Sequence, residues 1–282
     1  MTITTFLQHL APMRLLTRGA GYLAESRIPA IAQPLIRAFI RQHGIDLSDA
    51  LRSTPSEYHS FNDFFTRQLH PEARPLDKAD WVSPADGIVT QVGTIEATQL
   101  IHAKGQRYSA STLLADPALA HYLEGGHFTT VYLSPRDYHR VHMPCAGRLL
   151  SMCYVPGKFY SVRPDIVQAI DGLLARNERL ICWFQHPRCG IFVMVLVGAA
   201  IVGSIHTTWH GVVNPAGKRR IKRWWYRDEN PSLCFEQGDE MGHFQLGSTV
   251  VVLMPKAAVS WGETWQVNGA VKQGQAQTRM HA

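Results

Sequence analysis

The run from Gly190 to Ile205 constrains this chain most. Gly190-Ile191-Phe192-Val193-Met194-Val195-Leu196-Val197-Gly198-Ala199-Ala200-Ile201-Val202-Gly203-Ser204-Ile205 is its longest charge-free apolar stretch. It falls short of the roughly 20 residues a spanning helix needs. It is rich in β-branched residues and broken by glycines, so two buried strands are expected and no transmembrane helix. Other strand-like segments surround it: Gly87 to Gly93, His127 to Leu133, Gly147 to Val155 and Arg179 to Gln185. His186-Pro187-Arg188-Cys189-Gly190 reads as the loop of a hairpin. Glycine and proline punctuate the region every ten residues or so, which suits a barrel or a sandwich.

Two zones flank this β-rich centre. From Met1 to about Leu76 the pattern is helical, with Phe6, Leu7, Leu10, Leu15 and Leu16 among polar residues. Arg14, Arg18, Arg27, Arg37 and Arg41 face only Glu25 before His43. Such a segment suits a bilayer interface; an ordinary helical cap, or an organellar transit peptide, has the same composition. Ser60-Phe61-Asn62-Asp63 looks like a helix start with a capping box. A helix is expected near Ser111 to Leu123, broken or restarted by Pro117. At the other end, Lys218 to Arg227 is cationic and aromatic-rich, and the tail after Ala270 is polar and expected to fray. The division is a helical region, residues 1–76, and a β-rich catalytic domain, residues 77–282. The fold class is α+β, with a barrel- or sandwich-like core.

The formal net charge of +6 favours an anionic partner, nucleic acid or membrane, without choosing between them. No nucleic-acid fold motif accompanies the basic run, and no nucleic-acid partner is expected. The five cysteines, Cys145, Cys153, Cys182, Cys189 and Cys234, include no C-x-x-C pair. A disulfide framework or structural zinc is therefore not expected. No secretory signal peptide is read in the first forty residues.

Three segments carry chemistry. Ser83-Pro84-Ala85-Asp86-Gly87 is a turn leading into a strand, with a carboxylate. Ser134-Pro135-Arg136-Asp137-Tyr138-His139-Arg140-Val141-His142-Met143-Pro144 begins like a helix, with Ser134 as N-cap and Pro135 first. A short helical turn would put His139 and His142 on one face. They could hold a metal or act as separate acid–base groups, but no suitably spaced Cys or Glu completes a zinc site. His206 and His210 have i, i+4 spacing without a metalloprotease glutamate. Leu246-Gly247-Ser248-Thr249 precedes the apolar run Val250 to Met254 and offers a hydroxyl. Hydroxyl, imidazole and carboxylate are the parts of an activated-serine device.

Together with Phe61-Asn62-Asp63-Phe64-Phe65, Tyr154-Val155-Pro156-Gly157-Lys158 and Asn177-Glu178-Arg179, these segments resemble the bacterial-type phosphatidylserine decarboxylase family over nearly the whole chain. The resemblance implies that Asp86, His142 and Ser248 form a self-processing triad. His139 would serve the decarboxylation step, and Tyr138 is a weaker substrate-binding candidate. Ser248 would cut the chain at Gly247-Ser248 into a β chain, 1–247, and an α chain, 248–282. Its residue would become a covalent pyruvoyl group, which forms a Schiff base with the substrate's amine and absorbs the electrons left by carbon dioxide. No metal is implied. The implied setting is peripheral, on the cytosolic face of a bacterial cytoplasmic membrane. The partners are phosphatidylserine, the phospholipid surface, the companion chain and a second copy in a dimer. Two other readings use the same residues: a lipid-active serine hydrolase that is never cut, although no G-x-S-x-G elbow is present, and a non-catalytic membrane-binding β-barrel.

Overall fold

The computed structural model describes residues 19, 21–102, 107–199, 204–213, 220–226, 233–245, 248–256, 259–261 and 265–280. Phe6, Leu7, Leu10, Arg14, Leu15, Leu16 and Arg18 lie outside them. So do Ala200 to Gly203, Lys218, Arg219, Arg227 and the pair Leu246-Gly247.

The strands, in chain order, are β1 (Trp81–Val82), β2 (Gly87–Glu96), β3 (Gln99–His102), β4 (Arg107–Ser109), β5 (His127–Leu133), β6 (Arg140–His142), β7 (Gly147–Val155), β8 (Arg179–His186) and β9 (Gly190–Gly198). After them come β10 (Ile205–Thr207), β11 (Gly211–Val212), β12 (Lys222–Trp225), β13 (Cys234–Phe235), β14 (Glu240–Phe244), β15 (Ser248–Met254), β16 (Val259–Trp261), β17 (Ala270–Val271) and β18 (Ala276–Met280). The large sheet runs β12-β7-β8-β9-β15-β5-β2-β3-β4, with β13 added on β7 and β17 on β2. A small sheet runs β11-β10-β14-β6, and a third runs β1-β18-β16. Among the described residues no barrel closes; the α+β class holds in its sandwich form.

The first of the two strands expected in the apolar run forms, as β9, and only the last residue of the run, Ile205, enters a second, β10; Ala200 to Gly203 lie outside the described residues. The β8–β9 hairpin also forms, from Arg179↔Val197 to His186↔Gly190. The strand β15 is buried at every residue and lies between β9 and β5. Successive side chains in a strand point to opposite faces. Val250, Val252 and Met254 accordingly join one core with Val141 of β6, Ile205 of β10, and Met241 and Phe244 of β14. Val251 and Leu253 join another, covered by helices α3 (Ala110–Leu114), α4 (Pro117–Tyr122), α5 (Pro164–Ala169) and α6 (Leu173–Arg176). With both faces covered, a central strand reads as unbroken hydrophobicity. Pro117 restarts the helix as predicted, at the first turn of α4, behind an Asp116 cap.

The N-terminal helices α1 (Pro29–His43) and α2 (Phe61–Phe65) have their own apolar cluster of Ile36, Tyr58, Phe61, Phe64 and Phe65. Ser60 caps α2, accepting from Asp63 N–H at 3.1 Å. The reciprocal half of the expected box is missing: Asp63 instead accepts from His59 N–H and from Arg52.

Two expectations are corrected. After Ser134 no helical turn forms. Ser134 and Asp137 close a turn, with Asp137 N–H donating to Ser134 O and Ser134 N–H to the Asp137 carboxylate. The chain then extends into β6, because pairing with β14 takes up its backbone groups. The described part of the tail, Ala270 to Met280, is also ordered: β17 pairs with β2, and β18 lies between β1 and β16.

Candidate active site

Ser248 is the first residue of β15, fully buried, opposite Gly198 and Leu133 on the flanking strands. Strand alternation gives it the same face as Val250 and Val252, toward the small sheet. There it meets His139, the residue before β6.

The two nitrogens of His139 are distinguished by their partners. Nε2 lies 3.0 Å from the Ser134 carbonyl oxygen, which can only accept. Nε2 therefore carries the hydrogen, and Nδ1 is the bare acceptor. Nδ1 lies 3.4 Å from the Ser248 hydroxyl oxygen. Phe65 of α2 stacks on the ring with centroids 4.0 Å apart. Burial above all, helped by the positive charge of Arg67, pushes the imidazole down from its ordinary 6.5 to about 3. His139 is thus a neutral proton acceptor at physiological pH.

His142, in β6, faces other partners. Its Nδ1 donates to Gly238 O at 2.8 Å, leaving Nε2 to accept from the Tyr138 hydroxyl at 3.1 Å. Burial lowers its affinity for a proton, opposed by the Gly238 bond and the charges of Glu240 and Asp86. Among the described residues His142 makes no hydrogen bond to Ser248 or to Asp86. The imidazole that reaches Ser248 is His139, because β6 sends its side chains to alternate faces once it is a strand and not a helix.

Asp86 sits on the tight turn into β2. A Cβ on Gly87 would lie 2.3 Å from the Tyr132 carbonyl oxygen, so only glycine fits there. Both Asp86 carboxylate oxygens accept from Arg74, at 2.6 to 3.1 Å, and one accepts Gln273 N–H at 2.8 Å. Arg74 also holds Asp49 at 2.8 Å. Asp86 is tied to the site through backbone: two residues earlier, Pro84 O accepts His142 N–H at 2.8 Å. Phe65, Arg74, Gly238 and Gln273 were not read as site residues. Gln273 falls in the tail expected to fray, Phe65 lies in the quoted Phe61 to Phe65 segment without having been given a role, and no local pattern marks Arg74 or Gly238.

The i, i+4 spacing of His206 and His210 brings no pair together. His206 faces His243 across β10 and β14, rings 4.5 Å apart, while His210 packs on Trp224. Among the described residues no three metal-ligating side chains form a cluster. A group made from residue 248 itself fits the surroundings: its side chain is sealed from solvent, and a bare nitrogen faces it.

A buried serine hydroxyl at a strand start, set against an imidazole whose backbone partner leaves its near nitrogen free to accept, is the kind of arrangement that enzymes of the activated-serine class use. Residues 61–279 match the family model described as phosphatidylserine decarboxylase, and residues 3–44 match a second, PSD. The chain is 50% identical over 270 residues to the phosphatidylserine decarboxylase proenzyme of Delftia acidovorans, covering 95% of this chain and 94% of that one. It is 49% identical over 270 residues to the proenzyme of Chromobacterium violaceum, covering 95% and 96%. It is 48% identical over 275 residues to that of Methylibium petroleiphilum, covering 97% and 96%. The chain belongs to the phosphatidylserine decarboxylase family.

Proposed function

We propose that this protein decarboxylates phosphatidylserine to phosphatidylethanolamine, after cutting itself between Gly247 and Ser248. The observation that carries the proposal is the Ser248 hydroxyl facing the unprotonated Nδ1 of His139. Relatives named as proenzymes agree with it.

Self-cleavage moves several protons. The Ser248 hydroxyl gives its proton to His139 Nδ1 as the oxygen bonds to the Gly247 carbonyl carbon. The amide C–N bond then breaks and its nitrogen is protonated, leaving an ester. Loss of the α-proton of residue 248 and of the Cβ–O bond frees Gly247 as a carboxylate. Water then releases ammonia and leaves a ketone. More than one acid–base group suits such a sequence. His142, held by Gly238 and Tyr138 with Asp86 behind the same turn, is assigned the second, restricted to cleavage. His139 keeps its contact with position 248 and handles a proton at the reacting carbon of the substrate. The pyruvoyl ketone supplies the electron sink for carbon dioxide loss.

The helical region, residues 1–76, is assigned to membrane docking. Tyr22, Leu23, Ile28, Ile31 and Leu35 are exposed apolar side chains, and Arg37 and Arg41 of α1 suit anionic headgroups. No described helix is long and apolar enough to cross a membrane. The proposed setting is peripheral, on the cytosolic face of the bacterial membrane, with the α and β chains associated and two such pairs forming a dimer.

Intact mass tests the central claim. The expected result is two fragments, the smaller beginning at residue 248 with a blocked terminus, and carbon dioxide released from phosphatidylserine. An uncut, fully active chain would overturn it.

A further inference from the structure

Arg67, just beyond α2, is a buried cation of which, among the described residues, the fold pairs only one of the three guanidinium nitrogens. It is 4% exposed, and its guanidinium lies 5.6 Å from the centre of the Phe64 ring. Nη2 donates to the carbonyls of Arg136, at 2.9 Å, and Asp137, at 3.3 Å. Nε and Nη1 are closed off from solvent and have no partner among the described residues. A guanidinium stays charged, and burying its donors unpaired is costly. The two acids whose charges act on it are both committed: Asp86 to Arg74 and Gln273, Asp137 to Ser134 N–H.

Its place in the fold connects it to the site. Phe65, two residues earlier, stacks on His139, and the carbonyls Arg67 holds belong to the turn that delivers His139. Ser248 and His139 are themselves fully buried. The positive charge of Arg67 acts directly on the His139 imidazole.

We propose that Arg67 is the oxyanion receptor for the phospholipid headgroup, its Nε and Nη1 donors binding the phosphodiester. The inference rests on the decarboxylase reading above. The phosphodiester is favoured over the seryl carboxylate for a chemical reason. Pairing a buried guanidinium with the carboxylate would stabilise the group that must leave, raising the barrier to carbon dioxide loss. The phosphodiester is unchanged through the reaction, so holding it strengthens binding without opposing chemistry.

The test uses purified wild type, Arg67→Gln and Arg67→Lys in detergent micelles containing phosphatidylserine. Cleavage is read by gel and mass, kcat and KM by carbon dioxide release. The inhibition constant of phosphatidylethanolamine, which keeps the phosphodiester and lacks the carboxylate, completes the set. For Arg67→Gln, KM and that inhibition constant should rise by the same factor, roughly 10- to 100-fold. Turnover by the cut enzyme should change by less than that factor, because Arg67 touches the turn that carries His139 and not the reacting atoms. Arg67→Lys should show a smaller parallel rise, and it decides the matter if the Gln variant stays uncut. A rise in KM alone would assign Arg67 to the carboxylate and overturn the proposal, as would no change in either constant. Wild type that releases no carbon dioxide would instead defeat the decarboxylase reading.

Discussion

Nδ1 of His139 faces the Ser248 hydroxyl at 3.4 Å because Nε2 is spent on the carbonyl of Ser134. The tautomer is therefore set by backbone five residues away in sequence, not by solvent pH. Ser248→Ala removes the nucleophile and leaves β15 intact. It should fold, remain one chain of 282 residues, and release no carbon dioxide above background. Gel mobility and a decarboxylation assay check this, and a cut Ala variant would remove Ser248 from the first step.

The two imidazoles should separate by step. His139→Asn is expected to slow cleavage and the turnover of whatever is cut, each by roughly 10²- to 10⁴-fold. His142→Gln should slow cleavage alone. Time-resolved gels, and carbon dioxide released per mole of blocked small fragment, read the two steps independently. Wild-type cutting by His139→Asn would contradict the contact's importance.

Acid should destabilise the fold before it reaches most carboxylates. His139 in the folded protein binds its proton far more weakly than its ordinary 6.5, and His142 is lowered in the same direction. The unfolded chain then holds more protons across that interval. The contribution of these histidines to stability is fully present above about pH 6.5, and that of His139 is lost as pH falls toward about 3. Urea midpoints of Ser248→Ala, compared between about pH 8 and about pH 5, should decline. Adding His139→Asn should flatten that decline.

The Arg74–Asp86 pair is almost fully enclosed, with side-chain exposures of 11% and 10%. Asp86→Asn would leave Arg74, among the described residues, one carboxylate, the half-exposed Asp49, beside the Ala73 carbonyl. A loss of about 2–4 kcal/mol is expected, with part recovered in Asp86→Asn/Arg74→Gln. Denaturant titration of both variants measures it, and full additivity would deny the coupling.

Ile28, Ile31 and Leu35 lie close together at and within the start of α1, with their side chains in solvent. Changing all three to Ser should weaken sedimentation with anionic vesicles by roughly tenfold or more, at about 1.5–3 kcal/mol per fully buried aliphatic side chain. Unchanged sedimentation would place docking elsewhere.

Local signals carried the strands and several turns. Val250 to Met254, the β8–β9 hairpin and Pro117 each have a pattern that neighbours in sequence suffice to read. The segment after Ser134 misleads because an N-cap serine, a proline and an aspartate three residues on also suit a tight turn. Pairing with β14, about a hundred residues later, decides for the strand. That one difference swaps which histidine reaches Ser248. The partners of Asp86 are unreadable locally, since Gln273 is brought to it by strands at opposite ends of the catalytic region.

Scission at the first residue of β15 would leave the smaller fragment threaded between β5 and β9, at the centre of the largest sheet. The break would cost little cohesion, because both neighbouring ladders lie downstream of it. Its effect falls on reversibility: a processed molecule that melts becomes two separate polypeptides, and recovery turns from a unimolecular event into a concentration-dependent encounter. Heat tolerance of the mature enzyme would then be governed by how slowly it opens, while the uncut precursor could still refold alone.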